Sequence, residues 1–261
     1  MITSATNKQV KYVRSLYRRR VRNREKRFIA EGTRLVEEAL KAPAAPASLF
    51  YTPDMAESPH GIRLLDAAGS KGVECCQVTL EIMALMTDTV TPQGMLAVVP
   101  FPHLSIPEHP RLILILDGIR DPGNLGTILR TAAAAGVDEV LTLPGTVDVY
   151  APKVVRAGMG AHFRVPIGAC GRGADMQAKL EGYQVLLATA TEGVPHWETD
   201  WSIPTALIVG GETKGVGETA SHWATSRVRI PMAKKVESLN VASATAVLLF
   251  EALRQATCKA G

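Results

Sequence analysis

The run Leu112-Ile113-Leu114-Ile115-Leu116, closed by Asp117-Gly118, leaves no polar face for water. A continuous branched run of this kind marks a strand covered on both faces, which is how parallel strands lie in α/β sheets. Shorter apolar runs downstream predict further strands over 140–143, 164–167, 184–188, 206–209 and 228–230. Helices are expected between them over 124–135, 152–159 and 174–181, with a long alanine- and leucine-rich helix over 241–255. Strands alternating with helices predict a doubly wound parallel sheet. Ligands of such sheets gather beyond the carboxyl ends of the strands, so the loops there are the places to look for function.

Upstream of this sheet, residues 100–110 read P-F-P-H-L-S-I-P-E-H-P. Four prolines in eleven residues cannot form a helix and interrupt any sheet ladder, so this stretch is expected to be a semi-rigid linker. Before it, short strands are expected over 27–30, 48–52, 73–78 and 95–99. Thr33 is placed to cap a helix carrying Leu35, Val36, Ala39 and Leu40, and further helices are expected over 62–68 and 80–86. The organisation read from this is a small α/β domain over 1–100, a linker over 101–110, and an α/β domain with a parallel sheet over 111–261.

The net charge is only +4, yet ten Lys or Arg and a single acid, Glu25, lie between Lys8 and Arg27. Lys8, Lys11, Arg14, Arg18, Arg19, Arg20, Arg22 and Arg24, with Tyr12 and Tyr17 among them, form a basic N-terminal arm suited to a polyanion such as RNA. A solvated helix face is the plainer explanation of such a run. No apolar stretch approaches the roughly 20 residues that span a bilayer, and Met1-Ile2-Thr3-Ser4 leads into basic residues rather than a secretory core. Cys75 and Cys76 are adjacent, and Cys170 and Cys258 isolated, so no zinc spacing is present. These features predict a cytoplasmic protein with reduced thiols, no metal and no membrane partner.

Three loops after expected strands have unusual composition. The first is Asp121-Pro122-Gly123-Asn124-Leu125-Gly126-Thr127-Ile128-Leu129-Arg130, with Asn124 where an N-cap belongs and Arg130 roughly 9 Å along the helix. Arg130 leans back toward the helix start and is long enough to approach the same site. The second is Val209-Gly210-Gly211-Glu212-Thr213-Lys214-Gly215, where paired glycines let backbone amides face a ligand beside a carboxylate. It is neither a phosphate-cradling nor a dinucleotide glycine pattern. The third is Ile230-Pro231-Met232 followed by Ser238-Leu239-Asn240-Val241-Ala242-Ser243. Each loop has a structural explanation too: a capped helix with a surface arginine, a tight turn, and caps for the last helix.

Taken together, Asn-x-Gly-x-x-x-Arg, Gly-x-Glu-x-x-Gly and Ile-Pro-Met with Ser-Leu-Asn-Val resemble the three motifs of the SpoU/TrmH family. These are RNA 2′-O-ribose methyltransferases of the SPOUT superfamily. The resemblance covers about residues 111–256. It extends to Ile2-Thr3-Ser4, Phe28-Ile29-Ala30-Glu31-Gly32 and Thr91-Pro92-Gln93-Gly94, which look like the family's RNA-substrate-binding domain.

The resemblance implies a deep trefoil knot in the C-terminal domain, S-adenosylmethionine held in it largely by backbone groups, and a homodimer with the active site near the subunit interface. Gly210, Ile230 and Leu239 match the cofactor-binding positions, with Gly211 and Met232 in the same loops and Thr189 and Ala190 lining the pocket. Arg130 matches the arginine that activates the ribose hydroxyl, and Asn124, Glu212, Ser238 and Asn240 the polar residues around it. The family often has Ser after Asn-Val, where this chain has Ala242 and then Ser243. His162 stands at a usually apolar position and is expected to be structural or at the surface.

The substrate implied is structured RNA, with ribosomal RNA ahead of transfer RNA. Other readings of the same residues are an RNA-binding protein with an inactive methyltransferase domain, a methyltransferase acting on a base, and a dinucleotide-dependent oxidoreductase. The last lacks its glycine fingerprint and leaves the basic arm unexplained.

Overall fold

The structure is a computed structural model and describes residues 1–171, 173–211, 216–233 and 237–258. The chain opens with α1 (Lys8–Ser15), α2 (Arg19–Glu25), β1 (Arg27–Glu31), α3 (Thr33–Lys41), β2 (Ser48–Tyr51), α4 (Pro53–Glu57), α5 (Pro59–Ser70), β3 (Glu74–Gln77), α6 (Leu80–Met86) and β4 (Met95–Pro100). It continues with β5 (Leu112–Asp117), α7 (Pro122–Ala134), β6 (Glu139–Thr142), α8 (Pro152–Gly158), a 3₁₀ turn (Ala161–Phe163) and β7 (Ile167–Ala169). Then come α9 (Ala174–Lys179), β8 (Gln184–Thr189), β9 (Val194–Pro195), β10 (Thr205–Gly210), α10 (Glu218–Ser221), β11 (Ser226–Arg229) and α11 (Val241–Cys258). α4 and β9 carry no periodic signal because they are too short to show one.

Two compact units result. One comprises Met1–His103 with Asp148–Phe163, the other Leu104–Val147 with Arg164–Gly261. The segment Asp148–Phe163, which the sequence reading gave to the C-terminal domain, therefore packs with the N-terminal residues.

The first unit is built on a sheet of order β1-β4-β2-β3. Side chains alternate across a strand, and here both faces are apolar. Phe28, Ala30, Met95, Ala97 and Val99 meet Leu35, Val36, Ala39 and Leu40 of α3 and Leu64 and Ala68 of α5. On the other face Ile29, Leu96 and Val98 meet Val10 and Val13 of α1, Leu16, and Ile82, Met83 and Met86 of α6. The basic N-terminal stretch is thus a covering layer of the core rather than a free arm. α1 turns Val10 and Val13 inward while Lys8, Lys11 and Arg14 stay exposed, as the 3.6-residue period requires. α3 begins at Thr33 itself, with Gly32 as its cap at φ 95°, where any side chain would be strained.

Arg22 corrects an expectation. Read as RNA-binding, it is buried, its Nη2 donating to Asp148 Oδ2 at 2.5 Å and its Nη1 to the Leu16 carbonyl at 2.6 Å. A guanidinium taken out of water must be paired, and this one is spent within the protein.

The segment Asp148–Phe163 also brings Tyr150, His162 and Phe163 around Phe28, with ring centroids 5.1, 5.9 and 5.9 Å away. His162 is structural, as one of its two expected placements had it. Its Nε2 donates to the Val149 carbonyl at 2.7 Å, while Nδ1 is buried with no partner among the described residues. Burial holds its pKa down to about 4, against the Val149 bond and the charge of Asp148, which raise it. The unfolded chain takes up that proton near pH 6.5. His162 therefore leaves stability intact above pH 6.5 and costs it progressively as the pH falls to 4, by roughly 3 kcal/mol in total. Urea unfolding at pH 7, 6 and 5 checks this: the slope between these values should flatten in His162→Phe, and an unchanged slope would refute the assignment.

The second unit is a seven-stranded sheet of order β7-β6-β5-β10-β8-β11-β9, parallel at every pairing. β5 and β10, both buried along their length except for Gly210, form its centre. The strand expected over 164–167 is placed later, at Ile167–Ala169, because Arg164 is exposed and Pro166 offers no N–H to the ladder. Among the described residues no helix is long and apolar enough to cross a membrane.

Candidate cofactor and active site

β8, β10 and β11 are parallel neighbours, so their carboxyl ends open on one side of the sheet. α11 starts at Val241 and covers these ends with Val241, Ala244 and Leu248, a helical stripe spaced by three and four residues. A cavity of about 230 Å³ lies between them. Thr189 and Ala190 follow β8, Gly210 and Gly211 end β10, Ile230 and Met232 follow β11, and Leu239 precedes α11; all seven line the cavity. These are the seven residues expected to hold the cofactor. Ser238, expected among the polar residues, lines it as well.

Sequence reasoning missed Ala188, Val209, Val228, Val241, Ala244 and Leu248 on the same wall. Each sits in a strand or helix whose apolar residues were read as core. Their position at strand ends, and the helical stripe of α11, were the available signals.

Gly211 cannot be replaced without moving the backbone just after β5. A Cβ on it would lie 2.2 Å from the Gly118 carbonyl oxygen. The wall of the cavity here is bare backbone, with the Gly210–Gly211 segment flanked by the apolar side chains of Val228, Ile230, Leu239 and Leu248. Such a surface fits a flat heterocycle with polar edges, bound by backbone polar groups at its rim and apolar contact on its faces.

The polar residues are positioned by helix caps. Asn124 was expected at the N-cap of its helix, but Asp121 holds that place: its Oδ1 accepts from the Asn124 amide at 2.7 Å, and Pro122 opens the helix. The Asn124 side chain is left for the site, and its Oδ1 accepts from Asn240 Nδ2 at 3.0 Å. Asn240 in turn caps α11, its Oδ1 accepting from the Ala242 amide at 2.9 Å and the Ser243 amide at 3.4 Å. One asparagine thus serves both as cap and as link between the first and third loops. Ala242 is buried, and Ser243 contributes its backbone to the cap while staying exposed.

Arg130 is not brought to the cavity. It stands on the exposed side of α7 with Thr127 and Ala134, opposite Leu125, Ile128, Leu129 and Ala132, which are buried. Glu212 lies outside the described residues. In the first unit Lys8, Lys11, Arg14, Arg18, Arg19, Arg20 and Arg24 are exposed, and Arg22 is not.

The sequence profile of the SpoU rRNA methylase family matches residues 111–250. The chain belongs to this family. A second profile, the MRM3-like substrate binding domain, matches residues 7–97. This SpoU-family chain is 34% identical to the 23S rRNA (guanosine(2553)-2′-O)-methyltransferase RlmP of Bacillus subtilis, over 95% of its own length and 97% of the relative's. It is 35% identical to mouse mitochondrial rRNA methyltransferase 3, over 91% of its length and 70% of that protein. Among solved structures, the AdoMet-bound rRNA methyltransferase from Sinorhizobium meliloti superimposes with a TM-score of 0.84 at 31% identity, covering 97% of each chain. The SpoU methyltransferase AviRb from Streptomyces viridochromogenes, in complex with AdoMet, gives 0.82 at 27% identity, with 95% and 98% covered.

Proposed function

We propose that this protein transfers a methyl group from S-adenosylmethionine to a ribose 2′-hydroxyl of structured RNA, and that its substrate is ribosomal RNA. The observation that carries the reading is the cavity at the ends of β8, β10 and β11, lined by every residue expected to hold the cofactor. Two relatives with AdoMet bound share the fold of this chain, and the RlmP relative is named as a 2′-O-methyltransferase of 23S rRNA. S-adenosylmethionine supplies an electrophilic methyl on a positively charged sulfur. The protein's own residues then have two tasks: to orient the ribose and to ease loss of its hydroxyl proton.

Asn124 and Asn240, joined to each other and to two helix caps, are rigid enough to orient a ribose. Arg130 acts as an electrostatic activator. A guanidinium does not give up its proton at neutral pH, so it lowers the pKa of the hydroxyl by stabilising the forming alkoxide. Ser238 and Glu212 complete the polar surroundings. No step in this scheme needs a metal.

The reading includes a homodimer, a trefoil knot around the cofactor cavity and a cytoplasmic setting. Supporting the dimer, Leu239, Val247 and Phe250 are 39%, 38% and 48% exposed, an apolar surface on and beside α11, which packs against α7. In this arrangement Arg130 serves the active site from the subunit interface, which accounts for its outward position. The exposed cations of α1 and α2 hold RNA by its phosphates, so binding falls steeply with salt.

The test is methyl transfer from labelled S-adenosylmethionine to total RNA from cells lacking the protein, followed by nuclease digestion and nucleoside analysis. A labelled 2′-O-methylnucleoside is expected, in fragments of ribosomal RNA. Label on a base would overturn the ribose assignment.

A further inference from the structure

Arg120 stands in the loop between β5 and α7, and neither the cofactor cavity nor the pair of Asn124 and Asn240 includes it. The residues on either side of it are fixed. Ile119 is 1% exposed, and its carbonyl accepts from the Val147 amide at 2.8 Å. Gly118, one place earlier, donates its amide to Thr146 Oγ1 at 3.1 Å. On the other side Asp121 caps α7. Arg120 itself is exposed, and its guanidinium has no ion pair or hydrogen bond among the described residues. An exposed, unpaired cation does little for folding, so its charge is left for something outside the fold.

Its place in the sheet says what that is. All strands of the seven-stranded sheet are parallel, so the loops that follow them leave on the side of the cofactor cavity. Among the described residues of those loops, Arg120 is the single Lys or Arg. A nucleic acid reaching this side brings phosphates close to the reacting group. The 2′-hydroxyl sits on the ribose carbon next to the one that bears the 3′-phosphate. A ribose seated by Asn124 and Asn240 therefore carries a negative charge one sugar away from the reacting oxygen. Arg120 precedes Asn124 by four residues, so their Cα atoms are at most about 14 Å apart, and the helical start of α7 shortens this. The planar fork of a guanidinium matches two phosphate oxygens.

We propose that Arg120 is a substrate-binding residue that holds a backbone phosphate beside the target nucleotide, a role that rests on the reading of Asn124 and Asn240 as the ribose site. It differs in kind from the role given to Arg130. A phosphate contact is made alike before and during methyl transfer, so its loss weakens binding and leaves the rate at saturation in place.

The experiment is methyl transfer from labelled S-adenosylmethionine to protein-free ribosomal RNA from cells lacking the protein, for wild type, Arg120→Gln and Arg120→Lys. RNA concentration is varied at several concentrations of potassium chloride, with thermal melts and calorimetric cofactor binding alongside. Arg120→Gln is expected to raise KM for RNA about 10-fold, the low end for a hydrogen bond to a charged group. Its kcat, cofactor affinity and melting temperature should stay close to wild type. One phosphate contact fewer releases fewer counterions, so the fall of log kcat/KM with log salt should flatten by about 0.7 to 0.9. Arg120→Lys keeps the charge and should restore this slope, with KM between the other two because the fork is lost. Unchanged KM and slope in Arg120→Gln would overturn the proposal. So would a fall in kcat with the slope intact, which would mean that the residue shapes the loop rather than holds a phosphate. In both cases transfer by wild type leaves the functional reading standing. Absence of transfer to ribose by wild type would overturn both.

Discussion

Arg130→Ala is expected to lower methyl transfer by about 10²- to 10³-fold, the usual cost of removing one donor that stabilises developing negative charge. Binding of S-adenosylmethionine should stay close to wild type, because Arg130 does not line the cavity at the ends of β8, β10 and β11. Its position on the exposed side of α7 carries the second half of this expectation: truncating it disturbs no packing within the subunit. Arg130→Lys keeps the charge but loses the planar fork, and should recover only part of the rate. Single-turnover methyl transfer measured beside calorimetric cofactor binding separates the two quantities. Near-wild-type turnover in Arg130→Ala would remove it from the mechanism, and lost cofactor binding would mean that it acts on the cavity rather than on the ribose.

Asp148→Ala should be the most damaging single change to the first unit. Asp148 and Arg22 are paired with side chains only 11% and 4% exposed, and are 126 residues apart in sequence. Removing one member of a buried pair leaves the other charged and unsolvated, at a cost of about 3–5 kcal/mol. For a domain of this size that corresponds to a fall in melting temperature of about 10–20 °C. The pair itself contributes far less than this, since apolar replacements of both partners are often neutral. Arg22→Met combined with Asp148→Leu should therefore recover most of the loss in thermal or urea unfolding. A double variant as unstable as Asp148→Ala would show that the damage lies in the chain path of Asp148–Phe163 and not in the buried charge.

The same pair shows what a sequence conceals. Arg22 sits among cations that are all chemically suited to RNA, and nothing local sets it apart from Arg20 or Arg24. Its partner belongs to a segment that the apolar pattern assigns to another domain, yet that segment places Tyr150, His162 and Phe163 against Phe28. Asn124 is a smaller case. Asparagine and aspartate both cap helices, and the choice of Asp121 followed from Pro122, which favours the first helical position. Glu212 remains an expectation, since it lies outside the described residues.

The strands, their alternation with helices and the three loops at strand ends were legible along the chain. Their signals are local: an apolar run, a period of two or 3.6 residues, a glycine pair. The seven expected cofactor residues came from the resemblance to the SpoU/TrmH motifs, and they line a cavity at the strand ends, where ligands of an α/β sheet gather. What local pattern leaves open is which residues meet across long stretches of chain. The inward turn of Val241, Ala244 and Leu248 on α11 while Val247 and Phe250 face out, and the burial of Arg22 beside Asp148, both depend on such meetings. A side chain's free energy is set by what surrounds it, and those surroundings exist only once the sheet has brought distant residues together.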